Sequence, residues 1–574
     1  MVDRALTGLA LVFGLAAWPA VSTPAKTKSA SPPAPFSKQI PKEQRVSQAL
    51  NRLTFGPRPG DAERVRAMGL KKWIDLQLHP ARIAENPVLE AKLKPLDTLR
   101  MTAGELVRNY PPPQIIRLMA NGQLPYPSNP DRRRAVQRQA ERLVNGQVQA
   151  GQPPAPLAIP DFLTALQIRT LRTAAPQARL DAFLALPAEK QDDVLAAMPA
   201  VRQQLFDAAP PDLRRRIETS MAPQQVVVRD LYESKLLRAV YSNRQLEEVL
   251  VDFWFNHFNV YLDKGADRFL VTEYERDVIR PHVLGKFRDL LEATAKSPAM
   301  LFYLDNWQSV DPHGPLARAG IQARRGLNEN YGRELMELHT LGVDGGYTQK
   351  DVTEVARCFT GWTIRQPQQG GDFVFNPRMH DDGEKVALGE KIPSGGGIHD
   401  GEKVLDILAR HPATAHFISW KLAQRFVADD PPASLVDRMA RRFLETGGDL
   451  REVLKTMIDS NEFWSVGAYR TKMKSPLEMA VSAVRAVDGD VDYAFNLANQ
   501  VGLLGQPLYR KQDPNGYGNS SQEWVNSASL LARMNFALQL ADNRLPGVKV
   551  GAAKAAQPGD PAGIDLGSPE FQKR

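Results

Sequence analysis

The chain has 574 residues, 43% hydrophobic and 24% charged, with a formal charge of +8. That length supports more than one domain and a large core, and the balance excludes a polytopic membrane protein and wholesale disorder. The basic excess is thin, its one notable run being Arg132–Arg134; a nucleic-acid binder concentrates its charge in a stripe, so no nucleic-acid partner is expected.

In chain order, Met1 to Arg4 is a short charged start, Ala5 to Val21 is apolar, and Ala20-Val-Ser22 fits the small-x-small cleavage rule. Residues 1–22 are therefore expected to be a signal peptide, and the protein to be periplasmic or secreted. Pro19 stands at the end of an apolar run at the lower limit for a membrane span, so no stable membrane anchor is expected after cleavage. The single Cys358 cannot form an intramolecular disulfide. Residues 23–42, rich in Pro, Ser, Ala and Lys, read as a disordered linker. Residues 43–100 open a helical core, with Val46, Leu50 and Leu53 at helical spacing.

Residues 101–225 shift to Ala, Gln, Pro and Arg, and Ala-Leu-Pro187, Ala-Met-Pro199 and Ala-Ala-Pro210 recur along them. Each proline suits the first turn of a short helix, so this stretch is expected to be an inserted helical array. The main core follows over 226–545. In Gln245–Val260, Leu246, Val249, Leu250, Phe253, Trp254, His257 and Phe258 form one apolar stripe. Thr348–Trp362 predicts a helix with Thr348 as N-cap, Asp351 as its capping-box partner and Gly361 at the end. Asp372–Asn376 and Lys385–Leu388 flank a His-Asp-Asp-Gly turn and predict one hairpin. Residues 546–574, rich in Gly, Ala and Pro, read as a disordered tail. The class is all-α, with at most one short β-hairpin near 372–390.

The stretch Asn328–Tyr347, NENYGRELMELHTLGVDGGY, concentrates the charge. At helical spacing Asn330, Arg333, Glu334 and Glu337 share one face, while Tyr331, Leu335, Leu338 and His339 lie on an apolar side, with Gly342 as a left-handed C-cap. Either Arg333 pairs with Glu337 on a solvated face and His339 is a core histidine, or Glu334 and Glu337 flank a cleft as acid and base or bind a cation. Neighbouring carboxylates raise one another's pKa, which a general acid needs. His257 lies on an apolar stripe and needs a hydrogen-bond partner there. His380, Asp381 and Lys385 fall in a turn, and Tyr517 and Trp524 in a polar loop suited to stacking on a sugar, or pinned by its own rings. No metal site is expected: Asp488–Asp492 begins like a calcium loop, but Tyr493 replaces the required glycine. Gly-x-Ser-x-Gly and Walker loops are absent, and no cofactor is implied.

These motifs resemble a bacterial family known as domain of unknown function 1800. The resemblance is carried by Leu50–Pro57, Phe253–Phe258, Glu329–Tyr347, Asp351–Trp362, His380–Lys385, His411–Ala415, Lys421–Phe426, and Pro514–Tyr517 with Trp524. It implies an exported, mainly helical protein, often encoded beside a second exported family similar to sulfatases, and brings no established reaction. Family members often carry alanine where Gly332 stands, and residues 101–225 have no recognised counterpart. Two functions compete. In one, the protein is an envelope hydrolase acting on polysaccharide, with Glu334, Glu337, Arg333, His257, His380 and Asp381 as the catalytic set and Asn330, Trp254, Tyr517 and Trp524 binding substrate. In the other, it is a non-catalytic binding or assembly partner of another exported protein encoded nearby.

Overall fold

Helices hold 61% of the protein and strands 4%, so the class is all-α. The computed structural model describes residues 33–144, 158–315, 326–550 and 565–574; the expected signal peptide lies outside the described residues. No helix among them is long and apolar enough to cross a membrane.

α1 (Lys42–Leu53) buries Val46, Leu50 and Leu53, the residues its spacing selects. The expected linker before it is ordered from residue 33. Phe36 sits against Gly467, Ile40 is buried, and Val466 N–H donates to the Lys38 carbonyl at 2.8 Å. Two apolar side chains and a backbone bridge between Gln39 and Ser465 dock this strip onto the body.

α2 (Pro223–Tyr241) and α3 (Gln245–His257) are buried almost all round and form the centre of the main core. Several of their buried charges are paired, as burial demands, though Glu233 is not, and burial pushes its carboxyl up to about 8. Asp230 of α2 takes the Arg215 guanidinium at 2.7 Å, and Lys235 reaches Asp252 at 3.2 Å and Glu275 at 3.4 Å. Ala49, Leu53, Leu78, Leu89 and Leu96 join the same core as residues 228–566.

The segment 101–225 divides in two. Helices starting at Pro176, Ala188, Pro199 and Pro211 each have proline at the N-cap or first turn and enclose their own core of Phe183, Val194, Leu195, Val201, Leu205 and Ile217. Residues 103–140 instead pack Leu106, Tyr110, Ile116 and Val136 against Val226, Val227 and Phe269. The self-contained array therefore begins near Leu163, not at residue 101, because the apolar faces before it have their partners in the main body.

Beyond α4 (Asp267–Glu273), the site region is built by α5 (Glu329–Glu337) and α6 (Gln349–Cys358), which lie against each other. The Thr348–Asp351 capping box forms as its sequence predicts. The single expected hairpin does not form. β1 (Trp362–Ile364) pairs with β2 (Phe373–Phe375), and β3 (Lys385–Ala387) pairs with β4 (Glu390–Ile392). Leu388 and Gly389 both have positive φ, the condition for a tight hairpin turn between β3 and β4. The intervening His380 and Asp381 are drawn into buried contacts that keep β2 and β3 apart.

α7 (Ile398–Arg410) and α8 (Pro412–Phe426) complete this side of the core. Farther on come α9 (Pro476–Ala486), β5 (Asp490–Val491), α10 (Ser527–Ala541) and β6 (Val548–Lys549), with β5 paired to β6. The last ten residues are not a disordered tail. They form α11 (Pro569–Gln572), and the terminal Arg574 is buried with its guanidinium 3.1 Å from Glu478.

Candidate functional site

The carboxylate helix α5 starts at Asn328, whose side chain accepts from Tyr331 N–H at 3.1 Å and donates to the Leu304 carbonyl at 2.7 Å. This cap sets the helix with Tyr331, Leu335 and Met336 in the core. Arg333, Glu334 and Glu337 are half-buried and Asn330 is exposed. Arg333 does not pair with Glu337. It donates to the Gln349 side chain at 2.9 Å, and Gln349 donates to Glu329 at 3.0 Å, so α6 supplies the contacts that a solvated face would have kept within the helix. Glu337 accepts from the Tyr347 hydroxyl at 2.9 Å, and burial with this acidic neighbour pushes the phenol up to about 12.

Glu334 is different. Its carboxyl has no hydrogen bond or ion pair among the described residues. Burial and then the Glu337 charge raise its pKa, against the opposing pull of Arg333. A half-buried carboxyl that favours its proton, beside a second carboxyl held as an acceptor, can carry out general acid–base chemistry.

At the end of α5 the backbone widens: His339 and Leu341 donate to the carbonyls of Glu334 and Met336. Gly342 has the expected positive φ, but the helix ends at Glu337, before it. This turn carries the His339 ring away from the glutamates to within 6.3 Å of His257. His257 Nε2 contacts the His339 carbonyl at 3.1 Å and so carries the proton, while His257 Nδ1 and His339 Nε2 are buried without partners. Burial holds both rings neutral, the His257 pKa falling well below the usual range and that of His339 to about 3. Lys421 of α8 contributes to both shifts. Its ammonium lies over the Phe417 ring at 5.5 Å with no anionic partner among the described residues, and burial pushes it down to about 8. His257 thus meets the end of the carboxylate helix but not its carboxylates. Lys421 is the member that reading the sequence missed; the signal was a lysine opening the Lys421–Phe426 motif one turn after Phe417 and Ile418.

His380 and Asp381 belong to a separate network. His380 Nδ1 faces the Thr360 carbonyl at 2.8 Å and Nε2 faces Asp400 at 3.1 Å, while Lys385 donates to the same Asp400 oxygen at 2.7 Å. Asp381 takes the Arg357 guanidinium in bidentate fashion at 2.7 and 3.1 Å, and Arg357 also binds Glu354. A Cβ on Gly396 would lie 2.0 Å from Asp400, so only glycine lets that carboxylate in. These buried charges are mutually satisfied and tie the β1–β4 region to α6 and α7. They are not brought to the glutamates.

Trp254 is fully buried among Phe253, Phe258 and Phe287 and offers no face to a substrate. Tyr517 and Trp524 have ring centroids 5.6 Å apart and line a cavity of about 30 Å³, room for a water and not a sugar ring. Their loop is pinned: Asn256 donates to the Tyr517 carbonyl at 2.8 Å and accepts from Tyr517 N–H at 2.7 Å. Gly516, at φ +68°, comes so close to Asn256 that a Cβ would lie 2.1 Å from its carbonyl oxygen.

No group of three or more His, Cys, Asp or Glu among the described residues is arranged to hold a metal ion. No curated protein and no solved structure matches the chain. The profile of the family described as protein of unknown function (DUF1800) matches residues 48–156 and 162–568. It therefore takes in nearly all of residues 101–225, the stretch without a recognised counterpart. With the match spanning the main core, the helical array and the carboxylate helix alike, the chain belongs to the DUF1800 family.

Proposed function

We propose that this protein is an exported hydrolase of the bacterial envelope that cleaves polysaccharide through Glu334 and Glu337. The observation that carries the reading is the state of Glu334, a half-buried carboxyl without a partner whose proton is stabilised by burial and by Glu337. A structural network would have left it paired. In the reaction, Glu334 gives its proton to the glycosidic oxygen as the sugar C–O bond breaks. Glu337 takes a proton from the water whose oxygen bonds to the sugar carbon. Arg333, steered by Gln349, moderates the charge of the pair, while Asn330 stands exposed one turn earlier to meet substrate. Export rests on the charged, apolar and small-residue pattern of residues 1–22. Glu334→Gln removes the proton while keeping the shape: turnover on a panel of polysaccharides should be lost with the melting temperature unchanged. A lowered melting temperature, with a wild type inactive across the panel, would overturn the reading. Because the acid must be protonated, activity should fall as pH rises through the raised Glu334 pKa.

A second reading, as a non-catalytic partner of another exported protein, is favoured by α10. Leu530, Leu531, Met534 and Leu538 are exposed along it at 39 to 61%, and an uncharged apolar face of that kind marks a contact surface. Co-purification with the neighbouring exported gene product, lost in Leu531→Glu and kept in Glu334→Gln, would establish it.

A further inference from the structure

Four cations line a single cavity of about 470 Å³ beside α1, α9 and the C-terminal α11: Arg58, Arg470, Lys474 and Lys573. None of their side chains makes an ion pair or hydrogen bond among the described residues. Asp565 and Glu570 also line it, so four positive charges face two negative ones. Other buried cations of this chain, Lys235 and Lys385, are matched by carboxylates, whereas Lys474, like Lys421, has none. Lys474 is only 4% exposed, and its ammonium touches the Phe571 ring, 3.7 Å from the centroid. Burying an unpaired ammonium is unfavourable: burial pushes this one down to about 7, Glu478 opposing and Arg533 and Arg470 adding to the effect. Arg58 stacks over Tyr241 at 4.8 Å with its Nε buried and unpartnered. Arg470 lines the cavity from a left-handed backbone position at φ +51°, unfavourable for a residue with a Cβ.

We propose that this cavity binds an oxyanion, a carboxylate, sulfate or phosphate carried by a sugar-sized molecule, which supplies the counter-charge that Lys474, Arg470 and Arg58 lack and rests against Phe571 as an apolar wall. An oxyanion accepts hydrogen bonds from ammonium and guanidinium groups together, and charge-assisted bonds of this kind are the strong ones. No residue of the carboxylate helix lines the cavity, so the inference stands apart from the hydrolase reading.

Titration calorimetry on the full chain at constant ionic strength, with inorganic sulfate, inorganic phosphate, glucuronate and glucose 6-phosphate as probes, tests it. At least one should bind with a Kd on the order of 1 mM or tighter. Lys474→Met and Arg470→Ala should each weaken binding about tenfold or more, whereas Glu334→Gln should bind like the wild type. Arg470 is exposed, so its variant keeps the test valid should Lys474→Met fold poorly. Binding of the simple ions would assign the site to free anions, and binding of the sugar acids alone to charged saccharides; either supports it. No binding by any probe, or affinity unchanged in both variants, overturns it.

Discussion

Replacing Gly332 by alanine sets helix propensity against a helix–helix contact, and the structure decides the sign. Glycine within a helix costs roughly 0.5–1 kcal/mol relative to alanine, so α5 read alone predicts that Gly332→Ala stabilises. A Cβ there, however, would lie 2.9 Å from the Val352 carbonyl oxygen and 3.1 Å from the Ala356 nitrogen. Both are backbone atoms of α6. That helix cannot easily give way, because Val352, Val355 and Ala356 are fully buried and its start is fixed by the Thr348–Asp351 capping box. Forcing the helices apart by a few tenths of an ångström is an overpacking change that costs about 1–3 kcal/mol. The net expectation is a loss of about 1 kcal/mol, read as a lower urea midpoint at unchanged m-value. A gain of the propensity value would show that α5 and α6 separate freely and would refute the reasoning.

Two further perturbations test the buried charges. Asp267 is 0% exposed, neither carboxylate oxygen has a partner among the described residues, and burial raises its pKa well above the ordinary value. The unfolded carboxyl ionises near ~3.9. Between there and the folded pKa only the folded state holds the proton, so its stability falls by about 1.4 kcal/mol per pH unit as pH rises. Asp267→Asn lacks that loss, and its melting temperature should pull ahead of the wild type as pH is raised; a gap that stays constant with pH would show an ionised, partnered aspartate. Lys385→Met leaves Asp400 buried with His380 alone and should cost about 3–5 kcal/mol. Much of this should return in Lys385→Met/Asp400→Asn, and a single variant that melts like the wild type would mean the pair contributes nothing.

Local features were legible in the chain itself. The stripe from Leu246 to Phe258 named buried residues, Thr348 and Asp351 named a capping box, and the recurring prolines named helix starts. These are contacts between residues a few positions apart, where backbone geometry fixes who meets whom. The single hairpin over 372–390 failed because strand pairing also depends on what competes for the connecting turn, and Thr360 and Asp400 claim His380. The same limit hid the convergence of His257, His339 and Lys421, the absence of the Arg333–Glu337 pair, and the docking of Arg574 on Glu478. Periodicity shows that a face is apolar but not which distant face covers it. A charge in the sequence looks the same whether it will be solvated, paired or, like Lys474 and Glu334, left alone; only burial, which depends on tertiary packing, separates these outcomes.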